Sequence, residues 1–212
     1  MDLEKIVEIM EREAKARKAP IYTLKGEINT PFQHLVAALL SSRTRDEVTA
    51  EAVSRLFSRI STPEELAEMD EKEIEELIRG VGFYRVKARR LKELARKLVE
   101  DFNSEVPLKF EELVKLPGIG RKSANVVLAH SGIPAIPVDT HVHRISNRLG
   151  LVNTTKPEET EEELKKIFPK NMWDKVNRAM VGFGQTVCRS QKPLCDECPL
   201  RNWCPKLGVK GV

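Results

Sequence analysis

Apolar residues recur along this chain at spacings of three and four, and no stretch alternates with the period of two that a half-buried strand requires. The pattern predicts an all-α fold. Residues 3 to 17 form an amphipathic helix. Thr30 and Pro31 open a second, Pro31 to Ser41, with the threonine as cap and the proline at the first position, where its missing N–H is no loss. A third begins near Asp46. Thr62, Pro63 and Glu65 make a capping box for a short helix, and Asp70 caps the next, expected to end at Gly80. In the long helix Tyr84 to Phe102, the residues Ala88, Leu91, Leu94, Ala95, Leu98, Val99 and Phe102 follow helical spacing and are expected in the core. Helices Phe110 to Leu116, Arg121 to Ser131, Thr140 to Leu149, Pro157 to Phe168 and Asn171 to Val187 complete the set.

One connection carries chemistry. The run LPGIGRKSANVVLAHSGIPAIPVDTHVHR places Gly118 and Gly120 where a tight turn brings backbone N–H groups against an anion with no Cβ in the way. Such amides grip phosphate and ignore base identity. Lys122 falls in the first turn of the following helix, where the helix dipole and neighbouring Arg121 both favour its neutral amine, a nucleophile able to form a Schiff base. Asp139 lies seventeen residues further on and is able to stabilise a cationic sugar. Taken singly, Lys122 reads as a solvated lysine and Asp139 as a helix N-cap ahead of Thr140. The segment Gly80-Val81-Gly82 faintly echoes Gly118-Ile119-Gly120.

Composition narrows the class. At 212 residues and 41% hydrophobic, the chain can bury one sizeable core or two modest ones, and no apolar run reaches membrane-spanning length. A soluble intracellular protein without a targeting segment, working in the cytoplasm or nucleoid, is expected. The net charge is only +4, yet Glu64 to Glu76 holds eight acids, while Arg79, Arg85, Lys87, Arg89, Arg90, Lys92, Arg96 and Lys97 form a basic run. One face is expected to repel DNA and another to attract it. The high charge content is a weak thermophile signature.

All four cysteines, Cys188, Cys195, Cys198 and Cys204, stand in one C-x6-C-x2-C-x5-C segment. A chain of this size needs no disulfide staples, so metal ligation is favoured. Zinc sites usually pair two C-x2-C knuckles, and only one is present. The unequal loops suit a cubane iron–sulfur cluster better, with zinc the open alternative.

Together the LPGIGRKSANVVL hairpin, the VDTHV segment and the cysteine spacing resemble the endonuclease III family of helix-hairpin-helix DNA glycosylases over essentially the whole chain. The resemblance implies two helical lobes with a cleft between them: a continuous one, residues 25–134, holding the helix-hairpin-helix motif near 110–131, and a discontinuous one, 1–24 plus 135–212, ending in a [4Fe-4S] loop at 188–204. It implies a monomeric enzyme that removes oxidised pyrimidines such as thymine glycol from duplex DNA and then nicks the strand at the abasic site. Lys122 and Asp139 become the catalytic pair, and a Schiff-base route calls for no divalent metal. Arg43 and Phe83 occupy positions where the family typically carries a glutamine and a leucine that fill the gap left by an extruded nucleotide. Phe83 stays a plausible wedge, whereas Arg43 departs from the family pattern; read without the family, they are a core aromatic and a surface charge. Gly118, Gly120, Arg121, Arg189 and Lys192 are the expected phosphate contacts, and His141 and His143 are ordinary helix residues. Competing readings are an adenine-specific glycosylase, disfavoured by Ala37 where that family keeps a glutamate; a thymine mismatch glycosylase, disfavoured by Lys122; and a non-catalytic hairpin module with structural zinc.

Overall fold

The computed structural model describes residues 2–23 and 28–209, and among these every regular element is helical. In chain order they are α1 (Leu3–Ala16), α2 (Pro20–Thr23), α3 (Pro31–Ser41), α4 (Asp46–Phe57), α5 (Pro63–Glu68), α6 (Glu71–Leu77), α7 (Tyr84–Phe102), α8 (Phe110–Leu113), α9 (Arg121–His130), α10 (Thr140–Arg148), α11 (Pro157–Ile167), a 3-10 turn (Lys170–Met172) and α12 (Trp173–Thr186). No described helix is long and apolar enough to cross a membrane. The expected caps form: Thr30, Thr62 and Asp70 each accept a backbone N–H at the start of their helices, and Gln33 and Glu65 close capping boxes on the two threonines.

Three boundaries differ from expectation by two residues or more. α6 stops at Leu77, because the chain tightens into three-residue turns, Arg79 N–H to the Glu76 carbonyl and Val81 N–H to the Ile78 carbonyl, the second enclosing Gly80 at φ +97°. α8 stops at Leu113 for a similar reason. Lys115 and Leu116 bond three residues back, to Glu112 and Leu113, as the chain approaches Pro117, which disfavours helical geometry in the residue before it. The last helix starts at Trp173, preceded by the 3-10 turn. The single turn of α2 is too short to leave a periodic signature.

The chain divides into two compact units, Met1–Leu24 with Pro134–Val212, and Lys25–Ile133. The junction at residues 24 and 25 lies outside the described residues. In the first unit α12 is the centre, with α1, α2 and α10 packed on it. Two glycines permit that approach: a Cβ on Gly182 would sit 2.9 Å from the Ala14 Cβ and from the Tyr22 ring, and one on Gly184 would sit 2.6 Å from His141 Nδ1. Its core joins Ile6, Met10, Val142, Ile145, Val176, Met180 and Phe183.

The second unit is built on α3, which packs against α4, α7 and α9, while α7 also covers α5 and α6. Leu35, Leu39, Leu40, Leu56, Leu91, Leu94, Leu98 and Val127 are buried there. At the α3–α9 contact the His34 and His130 rings lie 4.4 Å apart, and burial pulls His34 down to about 4, keeping it neutral. One member of the basic run breaks the expectation of a solvated or DNA-facing surface: Lys87 is 4% exposed. Its position four residues before Leu91, on the apolar stripe of α7, is the signal that would have placed it inside.

Candidate functional site

The hairpin between α8 and α9 is set by Gly118 at φ +79°, a backbone region that side chains rarely adopt; a Cβ there would also press to 3.0 Å on Leu39 and 3.2 Å on the Arg90 stem. Ile119 is buried and its N–H closes the turn on the Leu116 carbonyl at 3.1 Å. Gly120 caps α9 with φ −97° and ψ 177°, a conformation open to any residue, and nothing within 4 Å would meet an added Cβ. The first bond of the α9 ladder runs from Ala124 N–H to the Gly120 carbonyl, so the amides of Lys122 and Ser123 precede it. Lys122 is exposed in this opening turn. Arg121, beside it, stacks its guanidinium carbon 5.0 Å from the centroid of the Phe110 ring, fastening α9 to α8.

Also in the second unit, the structure brings Arg43 and Phe83 together. Both have left-handed backbone, φ 52° and φ 58°, and the Arg43 guanidinium carbon lies 5.6 Å from the Phe83 ring centroid. Phe83 is 63% exposed, so the core-aromatic reading of this residue is wrong. Its neighbour Gly82 is required by packing, since a Cβ would fall 2.5 Å from the Arg43 carbonyl oxygen. Two residues that sequence reasoning missed join the loops: Thr44, whose hydroxyl accepts from the Gly82 N–H, and the buried Lys87, which donates to Thr44.

Asp139 belongs to the first unit. It caps α10: Oδ1 accepts from the amides of His141 at 2.8 Å and Val142 at 2.9 Å. His141 and His143 are packed helix residues as expected, the former receiving Arg144 at 3.1 Å and the latter sharing a hydrogen bond with Thr160 at 2.7 Å. Two arginines of α10, also missed in the sequence, anchor the cysteine loop. Arg144 donates to the Cys188 carbonyl at 2.9 Å. Arg148, 9% exposed, donates to the Arg189 carbonyl at 2.7 Å, the Ser190 carbonyl at 3.1 Å and Cys188 Sγ at 3.5 Å. Arg189 and Lys192 are exposed on that loop, with Lys192 in left-handed backbone at φ 48°.

Cys188, Cys195, Cys198 and Cys204 are free thiols, all partly buried, and all four line one cavity with Ile145, Arg148, Phe183 and Leu194. Burial first, and then the neighbouring cysteines, push the Cys198 thiol up to about 11; Cys204 is raised for the same reasons. Four thiolates held this close need a strongly cationic partner. Four thiols around a shared apolar cavity fit an iron–sulfur cluster. The Lys206 N–H points at Cys204 Sγ at 3.4 Å, and this bond and that of Arg148 are of the kind that tune cluster sulfurs.

Comparison with known proteins agrees with this geometry. Residues 36–170 match the HhH-GPD superfamily of base excision DNA repair proteins, and residues 188–204 match the iron–sulfur binding domain of endonuclease III. Endonuclease III of Thermotoga maritima is 52% identical over 175 residues, covering 82% of each chain. That of Synechocystis sp. is 45% identical over 188 residues, covering 88% of this chain and 86% of the relative. A solved structure of endonuclease III trapped as a covalent intermediate with DNA, in an estranged-adenine complex, superposes with a TM-score of 0.85 at 38% identity, covering 97% of both chains.

Proposed function

The chain belongs to the endonuclease III family of helix-hairpin-helix base excision repair proteins, and on that premise we propose that it removes oxidised pyrimidines from duplex DNA and cuts the resulting abasic site through a Schiff base on Lys122. It is a DNA glycosylase and abasic-site lyase with a [4Fe-4S] cluster. We assign the four cluster ligands to Cys188, Cys195, Cys198 and Cys204. The cluster, when bound, neutralises the thiolates and fixes the loop that presents Arg189 and Lys192 to phosphate. It acts as a monomer, inside the cell, on chromosomal DNA.

The observation that carries this reading is the setting of Lys122: exposed, in the opening turn of α9, two residues beyond a glycine around which the protein leaves open space. A phosphate seated on the hairpin amides holds the DNA backbone beside that amine. A stacked nucleotide hides its sugar, so the target must first leave the duplex, and Arg43 and Phe83 are the side chains that enter the gap. The Lys122 amine then attacks C1′, and the bond from C1′ to the damaged base breaks with its electrons leaving on the base. Asp139 stabilises the positive charge that develops on the sugar. Ring opening gives an iminium. Loss of a C2′ proton sends electrons toward C3′ and expels the 3′ phosphate, so the strand is cut without water attacking phosphorus.

Borohydride reduction tests this directly on duplex DNA carrying one thymine glycol. A covalent enzyme–DNA band is expected with the unaltered protein and none with Lys122→Ala, which should keep its DNA affinity because the hairpin amides are untouched. A Lys122→Ala protein that is trapped at the unaltered rate would overturn the assignment.

A further inference from the structure

Lys87 is a buried cation with no task in the reaction above. Its ammonium donates to three neutral oxygens, the Leu40 carbonyl at 2.8 Å, the Ser42 carbonyl at 2.6 Å and the Thr44 hydroxyl at 3.1 Å. Burying an ammonium among neutral acceptors is costly, and burial pulls this group down to about 8. A methionine would fill the space at α7 more cheaply. What the charge achieves is geometric. The Leu40 and Ser42 carbonyls lie at the C-terminal end of α3, where helix carbonyls lose their own partners, so Lys87 gathers the end of α3 and the Arg43 loop onto α7.

Thr44 extends that hold to the second loop. Its hydroxyl accepts from Lys87 Nζ and from the Gly82 N–H, each at 3.1 Å, and donates to the Ser42 carbonyl at 3.2 Å. One oxygen thereby joins Lys87, the loop carrying Arg43 and the loop carrying Phe83. The Gly82 backbone meets the Arg43 carbonyl so closely that no side chain fits between. On this base stand the two exposed residues in left-handed backbone, each costing on the order of 1 kcal/mol that the surroundings must hold in place.

We propose that Lys87 and Thr44 form an internal clamp that locks the Arg43 and Phe83 loops into one two-pronged wedge, making Lys87 a positioning residue for nucleotide extrusion. The inference rests on the glycosylase reading and adds to it the part that keeps the wedge rigid. Extrusion from a duplex requires the clamp; chemistry on a sugar already free of the stack does not.

The test compares two DNAs. Lys87→Met keeps the length and packing of the side chain and removes its donors, and Thr44→Val removes the shared hydroxyl at constant shape. Each is expected to slow single-turnover release of thymine glycol from duplex DNA on the order of tenfold to hundredfold, the scale of a misplaced positioning group. Strand cleavage and borohydride trapping at a preformed abasic site in single-stranded DNA are expected to stay near the unaltered rate. A 2-aminopurine beside a tetrahydrofuran abasic analogue in duplex DNA should brighten on binding the unaltered protein and brighten less with either variant. Equal loss on both DNAs, or no loss on the duplex, overturns the clamp. If Lys87→Met does not fold, Thr44→Val carries the same comparison. Should the unaltered protein trap neither DNA, the lyase reading falls, and the 2-aminopurine signal, which needs no chemistry, still decides the clamp.

Discussion

Asp139 shows how one carboxylate can hold two assignments that a substitution separates. As the N-cap of α10 it accepts two amides on Oδ1, which alone is sufficient reason for an aspartate before Thr140. As a proposed catalytic group it needs its charge. Asparagine keeps an acceptor oxygen and caps nearly as well as aspartate, losing the favourable interaction of charge with the helix N-terminus, about 0.3–1 kcal/mol. Alanine loses the cap as well, about 0.5–2 kcal/mol. Asp139→Asn and Asp139→Ala should therefore differ in thermal stability, with alanine the weaker, yet slow base removal to a similar degree in single-turnover assays. An asparagine variant with full base removal would leave Asp139 a cap and nothing more.

At the scale of elements, two copies of the same turn serve different ends. Gly80 and Gly118 both have positive φ, and Val81 and Ile119 are both buried with N–H bonds of 3.1 Å three residues back. The second glycine differs. Gly82 is confined by the Arg43 carbonyl, while Gly120 has open space and an ordinary backbone. Nothing within 4 Å in the protein demands a glycine at 120, and on the proposed function the demand is expected to come from a DNA backbone approaching the hairpin. Gly120→Ala should cost less than about 1 kcal/mol of stability, since alanine is only a somewhat poorer cap. It should weaken binding to damaged and undamaged duplex alike, because phosphate contacts carry no sequence information; unchanged affinity would remove the hairpin from the interface. The same contrast marks what was legible in the sequence. Local chemistry was readable: the Thr62–Glu65 box, the Asp70 cap, the bounds of α7 and the LPGIG turn. Tertiary context was not. Lys87 looked like one more base in a basic run although α3 and its loop cover it, and residue type and spacing alone, without the family resemblance that marked Phe83 as a wedge, read that exposed ring as a core aromatic.

For the molecule as a whole, the first unit draws on both ends of the chain. α1 packs on α12, and Arg17 at the end of α1 pairs with Glu13 and, at 3.0 Å, with Glu197 in the cysteine loop. That loop, residues 188–209, contains only turns among its described residues. Its protein anchors include buried Leu200, Leu194 packed against the core, the Arg17–Glu197 ion pair and hydrogen bonds from Arg144 and Arg148. With no helix or strand of its own, the loop is expected to rely on its cluster for part of its order, as small metal-bound segments do. The second unit has a separate core, in α3, α4, α7 and α9. Cys198→Ala should therefore abolish the visible absorbance of the cluster and lower the unfolding temperature. Hydrogen exchange should rise through residues 188–209 and at the ends of α10 and α12, while α3, α7 and α9 keep their protection. Loss of protection spread evenly over both units would mean that the cluster stabilises more than the unit that holds it, and an unchanged pattern without the cluster would mean that the loop folds on its protein contacts alone.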